Sequence, residues 1–230
     1  MITRTVRIAY REGVLDDFAA LAHHHYHPDP PSTCARVIAA CNGPDGPLAG
    51  VLVVSMPVLN ASWREHAFPG RYRTHDRRAD AHRLNREVRT ISRVVVDPRC
   101  RGLGIGVELV QRYLRTPLTP VTEAVAAMGT FSRFFEAAGM TPYPPSPSPR
   151  DLRLADAIAS LSIDPWMLAD PELIPARTLA SPLLARELRR WAQASRGTRR
   201  WATEDTVRLL QRAAGIFYPS TAFVAVREAA

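Results

Sequence analysis

The segment Arg99-Cys100-Arg101-Gly102-Leu103-Gly104-Ile105-Gly106 has the residue types and spacing to hold a polyphosphate. Glycine lacks a Cβ and lets the main chain approach a ligand closely, while the start of a helix offers unpaired N–H groups and the positive end of its dipole. Such a pattern carries meaning only between a strand and a helix. Here the β-branched run Thr90 to Val96 precedes it, and Val107, Leu109, Val110 and Leu114 follow at helical spacing. A second group is His23-His24-His25-Tyr26-His27. Imidazoles titrate near neutrality and serve as bases or metal ligands, but consecutive side chains cannot all converge, so no metal site is expected. Ser92 and Arg93 lie on the strand before the glycines, where simple alternation sends one to each face.

The elements that must position these groups follow from periodicity. Thr3 to Tyr10 alternates as a half-buried strand, and Glu12 to Ala22 has helical spacing. Ala35 to Cys41 and Leu48 to Met56 form a hairpin around Asn42-Gly43-Pro44-Asp45-Gly46. Pro57 to Asn85 lacks clean periodicity and reads as an inserted loop with one short helix. A fourth strand covers Val88 to Val96, a fifth Thr122 to Met128, and a short helix Phe131 to Ala138 ends at Gly139, a C-terminal cap. Pro144 to Pro149 holds four prolines and breaks any helix or central strand. The organisation expected is a core over 1–143, a linker over 144–150 and a helical C-terminal extension over 151–230. Its helices are Asp151 to Leu161, Pro182 to Ala194 and Thr203 to Ala214, and Thr221 to Val226 is a last strand able to return to the core sheet.

Composition narrows the class. No apolar run reaches the length of a membrane span, and the N-terminus enters a strand without a signal-peptide pattern, so a cytoplasmic protein with no membrane partner is expected. Cys34, Cys41 and Cys100 form no CxxC pair and suit reduced thiols. The 30 basic residues are all arginine, and the net charge of +8 is concentrated. Residues 71–101 hold ten Arg against four acids and 176–212 nine against three, a pattern suited to polyanionic ligands, nucleic acid among them. Trp191 and Trp201 sit among the arginines of the second stretch, where they either stack bases or pack inward beneath a solvated helix.

The strand, Arg-x-x-Gly-x-Gly and helix unit resembles the acyl-CoA loop of the GNAT superfamily, the GCN5-related N-acetyltransferases. Phe134-Phe135-Glu136-Ala137-Ala138-Gly139-Met140 resembles that family's Phe-Tyr-x-x-x-Gly-Phe helix. The likeness spans roughly residues 3 to 143 and implies an α/β (α+β) fold: a mixed, mostly antiparallel central sheet flanked by helices. It implies acetyl-CoA as co-substrate and an amine acceptor. The backbone of Val94, Val95 and Val96 would pair with the pantetheine arm, and Arg99 with Arg101, Gly102, Leu103, Gly104, Ile105 and Gly106 would cradle the pyrophosphate.

The resemblance also bears on catalysis. Glu87, just before the fourth strand, stands where the family commonly places a catalytic carboxylate. Phe135 replaces the tyrosine that protonates the leaving thiolate, and Met128 a frequent asparagine. Either Ser132 or Tyr143, the nearest in sequence, donates instead, or the thiolate leaves unaided, or the chemistry is not standard acetyl transfer, a catalytically lost CoA- or nucleic-acid-binding module included. Tyr26 is a further candidate catalytic residue. His24, His25 and Tyr26 follow the first helix, where the family lines its acceptor cleft, with Arg93 nearby. A fainter resemblance, to phage Mom-type DNA modification proteins and to the acetyltransferase-like domain fused to some ABC ATPases, implies action on a DNA base. The C-terminal helices remain open to roles as a lid, a homodimer interface or a nucleic-acid clamp.

Overall fold

The computed structural model describes residues 7–44, 46–127, 129 and 131–227. It divides into two compact units, one comprising the chain up to Pro144 together with residues from Ser220 onward, the other Pro145–Pro219. The expected strand residues Thr3 to Val6, the turn residue Asp45, and Met128 lie outside the described residues.

The first unit is built on β1 (Ile8–Glu12), β2 (Arg36–Asn42), β3 (Leu48–Ser55), β4 (Val88–Val96), β5 (Val121–Ala126), β6 (Thr141–Tyr143) and β7 (Thr221–Val226). They form one sheet in the order β1-β2-β3-β4-β5-β7-β6. Neighbours run antiparallel except β4 and β5, which are parallel. This is the mixed, mostly antiparallel sheet that the resemblance implies.

Strand alternation divides the core between the two faces. Ile38, Leu52, Val54 and Ile91 pack with Ile105, Leu109, Val110 and Tyr113 on one face. Val37, Val51, Val53 and Val95 pack under Phe18 and Leu21 on the other. Helices α1 (Leu15–Leu21), α2 (Arg64–Ala67), α3 (Arg77–Glu87), α4 (Ile105–Arg115) and α5 (Phe134–Ala137) flank the sheet. The first helix starts later than its spacing suggests because β1 runs on through Glu12, paired with Ile38. Gly139, at φ +97°, closes α5 as expected, its N–H donating to Glu136 O at 2.9 Å.

Residues 57–85, expected as a loop with one short helix, contain two. The Asp76 carboxylate starts α3 by accepting from the N–H groups of Arg78 and Ala79, each at 3.0 Å. That helix buries only Asp80 and Leu84, which is why it shows no apolar period.

The second unit packs α6 (Pro149–Ser160), α7 (Ala176–Leu179), α8 (Pro182–Gln193) and α9 (Thr206–Ala213) around Leu154, Ile158, Leu184, Leu188, Leu209 and Leu210. Ser148 caps α6 and Pro149 is its first residue, so Pro149 and Arg150, expected in the linker, belong to the helix. β6 and β7 are antiparallel neighbours, with Tyr143 opposite Ala222. In topology the helical unit is therefore an insertion into a β-hairpin. Among the described residues no helix is long and apolar enough to cross a membrane.

Candidate active site

Parallel pairing of β4 with β5 extends only from Val88–Val121 to Ile91–Ala124. Beyond Ile91 the strands part, and β4 keeps only its pairing with β3, leaving the backbone of residues 92–96 open toward β5. The register between β3 and β4 shifts there: Val53 faces Arg93 while Val54 faces Ile91, so Ser92 is an extra residue, a β-bulge. The bulge overturns the expected alternation of Ser92 and Arg93, because both side chains turn to the face covered by α1. The Arg93 guanidinium lies over the Phe18 ring of α1 at 5.9 Å. Ser92 Oγ is 2.7 Å from Ser55 Oγ, which donates to Thr33 O at 2.6 Å.

A cleft of about 110 Å³ occupies the splay. Ile91, Val94, Val125, Phe134 and Phe135 supply apolar walls, and His25, Tyr26, Ser92 and Arg93 line it with polar groups. Phe135 is buried against Phe223, ring centroids 5.1 Å apart. Two of the cleft's side chains, Tyr26 and His25, carry exchangeable protons. Tyr26 is largely exposed and stacks on His25 with centroids 4.5 Å apart. Burial lowers the His25 pKa from its ordinary value, and the nearby Arg93 charge adds to this against a hydrogen bond to His27. His25 Nδ1 lies 3.0 Å from His27 N and 3.1 Å from His27 O. In the tautomer whose Nδ1–H donates to that carbonyl, Nε2 keeps a free lone pair.

The glycine loop leads into this cleft. Gly102 and Gly104 have φ of +82° and +75°, the left-handed region that glycine adopts without strain, and a Cβ at either would meet no atom within 4 Å. Gly104 caps α4, so the unpaired N–H groups of that helix open beside it. A Cβ on Gly106 would lie 3.8 Å from Phe134 and Val96 and 4.0 Å from Val94. Val94 and Phe134 therefore join the helix start to the cleft wall.

Arg99, expected in the anion cradle, is turned back onto Asp97, with Nη2–Oδ2 at 2.7 Å and Nε–Oδ1 at 3.0 Å. These bonds, with the Arg99 N–H at 2.8 Å, hold the Asp97 carboxyl far below its ordinary value. Asp97 N in turn donates to Ala49 O at 2.9 Å, so the pair braces the loop against β3. Arg101 is exposed and has no ion pair among the described residues. It is the cation that the loop presents.

Other expected residues are placed elsewhere. Glu87 ends α3 and does not line the cleft; it is paired with Arg71 at 2.9 Å and accepts from Tyr72 Oη at 3.1 Å. Burial pushes its pKa up, but the bonds from Arg71 and Tyr72 prevail and leave it lowered. Tyr143 packs with Leu84, Val88 and Val224, and Ser132 is exposed outside the cleft lining. His24 lies near Asp97 and contributes to lowering its pKa. Among the described residues no three His, Cys, Asp or Glu side chains gather to hold a metal.

Periodicity gave no sign of Arg64 and Glu123. Their side chains, 3% and 2% exposed, meet in two 3.0 Å hydrogen bonds, and Thr90 Oγ1 donates to Glu123 at 2.8 Å. In the second basic stretch, Trp191 is buried, donates to Asp151 at 2.7 Å and stacks on Trp201 at 6.4 Å.

No protein-family model matches the chain, and no curated protein matches it. Among solved structures it is similar to one described as histone acetyltransferase HPA2 and related acetyltransferase from Corynebacterium glutamicum, at 14% identity and a TM-score of 0.38 over 61% of this chain and 88% of that one. It is also similar to a mosquito arylalkylamine N-acetyltransferase like 5b, at 15% identity and a TM-score of 0.38 over 61% and 85%. An agmatine N-acetyltransferase matches at 14% identity and a TM-score of 0.33 over 60% and 85%. At these values the likenesses carry no functional weight, and the fold rests on the strand order and the splay.

Proposed function

We propose that this chain is an acyl-CoA-dependent N-acyltransferase that moves an acetyl or similar group to an amine. The observation that carries the reading is continuity: a left-handed glycine turn at the start of α4 leads past Gly106, Val94 and Phe134 into a cleft lined by His25 and Tyr26. The glycine N–H groups and Arg101 suit a pyrophosphate, and the open β4 backbone over Val94, Val95 and Val96 suits an amide-bearing arm.

In the reaction the amine nitrogen attacks the thioester carbonyl, the C–N bond forms, the C–S bond breaks, and the sulfur leaves as a thiolate. An ammonium must first lose a proton. His25, its pKa lowered by burial, is the base, and the Tyr26 hydroxyl, in the same cleft lining, returns a proton to the thiolate in place of the hydroxyl that Phe135 lacks. Glu87 is left a structural part, holding Arg71 and Tyr72.

Nucleic acid as acceptor has less support. Arg186, Arg208 and Arg212 of the second basic stretch are paired with Glu187, Asp205 and Glu204, and Trp191 is spent on its own core. The test is release of free thiol from acetyl-CoA by the full chain across amines, peptides and DNA. Thiol release stimulated by an amine or peptide supports the reading, and acyl transfer to DNA alone overturns its acceptor.

A further inference from the structure

We infer that the inserted segment before β4 forms an acceptor pocket for amines that carry a carboxylate or phosphate several atoms from the reacting nitrogen; this rests on the acyltransferase reading above. A cavity of about 410 Å³, within the range of small-molecule sites, lies among residues 59–77, apart from the cleft lining. Leu59, Phe68 and Tyr72 give it an apolar side, Phe68 and Tyr72 meeting edge to face at 5.6 Å.

The charges decide what the cavity prefers. Of the arginines that line it, Arg64 is neutralised by Glu123. Arg73 and Arg77 have no carboxylate partner among the described residues, and Arg77 reaches only the Asn60 amide oxygen. The one acidic residue in the lining, Glu65, accepts the Gly70 N–H at 2.7 Å. Two guanidiniums against one occupied carboxylate leave a positive cavity, and guanidinium forks bind carboxylate and phosphate oxygens in pairs.

The pocket also has a physical link to the chemistry. Arg64 is fixed to Glu123 on β5, and Val125, two residues further and on the same face, lines the cleft. Two residues of strand span about 7 Å, the spacing along β5 between the carboxylate that anchors Arg64 and the cleft lining.

The test compares acceptors differing only in the anion: para-aminomethylbenzoate against benzylamine for carboxylate, and aminobutyl phosphate against butylamine for phosphate. With the full chain, at least one anionic acceptor should exceed its neutral counterpart tenfold or more in kcat/KM, and the pair that does so identifies the anion. R73Q/R77Q should erase the preference while leaving the KM for acetyl-CoA unchanged. Equal rates within both pairs, or a preference that survives in R73Q/R77Q, would overturn the pocket. Calorimetric titration of para-aminomethylbenzoate and inorganic phosphate without acetyl-CoA separates the two readings. Binding of either that is lost in R73Q/R77Q upholds the pocket even if no amine is acylated, and absence of binding of both to the unmodified chain refutes it.

Discussion

His25 and Tyr26 stack at 4.5 Å with 28° between their ring planes, and both line the cleft where β4 parts from β5. Two neighbours in sequence thus serve one site because the chain turns sharply after the 3₁₀ turn that continues α1, and His25 Nδ1 meets the backbone of His27. The stacking limits how far either ring can swing without disturbing the other.

If His25 is the base, His25→Gln should lower kcat by about 10²–10⁴-fold, the usual value of a positioned base, with little change in KM for acetyl-CoA. Its lowered pKa fixes the sign of the pH dependence. The neutral imidazole persists to lower pH than an ordinary histidine, so the acid limb of kcat should fall below pH ~6.5, the unperturbed value. Steady-state kinetics across pH checks both, and the limb should vanish in His25→Gln.

Glu87→Gln should behave differently. The carboxylate holds Arg71 and Tyr72 at 2.9 and 3.1 Å and lies outside the cleft lining, so the variant should keep kcat within about tenfold of the unmodified chain, well short of the loss of a base. The same thiol-release assay decides. A fall in kcat matching that of His25→Gln would return the base to Glu87.

Arg64→Met leaves Glu123 buried without its partner and should cost about 3–5 kcal/mol in urea unfolding. Removing both charges in R64M/E123M should cost less than Arg64→Met alone, because no unpaired ion remains.

The hairpin connection predicts that residues 145–220 can be replaced by a two-residue Asn-Gly turn that sets Pro144 opposite Thr221 and keeps Tyr143 opposite Ala222. The remaining sheet should unfold cooperatively and keep its affinity for CoA, as seen by calorimetry and thermal melting. Loss of cooperative unfolding would make the helical unit part of the core.

Much of this architecture is legible in the sequence, for physical reasons that differ by element. The β-branched run Thr90 to Val96 and the glycines after it show a strand, a turn and a helix start directly, since glycine adopts the left-handed φ of Gly104 without strain. α3 was hidden because it is anchored by Asp76 and one buried leucine rather than by an apolar stripe. The bulge at Ser92 has no compositional mark, so alternation sends Ser92 and Arg93 to opposite faces where the strand keeps them on one. Arg99 fits the loop motif, yet its orientation depends on Asp97, two residues earlier, a local competition that spacing does not show. The partnership of Arg64 with Glu123 spans 59 positions, and only the folded sheet brings them together.

The most direct test of the central claim is calorimetric titration of CoA into the full chain and into Gly104→Val. A Cβ at this position meets no protein atom within 4 Å, but valine forces a branched side chain into left-handed backbone beside the helix N–H groups. The account predicts measurable binding by the unmodified chain and a loss of at least about tenfold, ~1.4 kcal/mol, in a variant whose far-UV spectrum shows it folded. Equal affinity in the two proteins would contradict it.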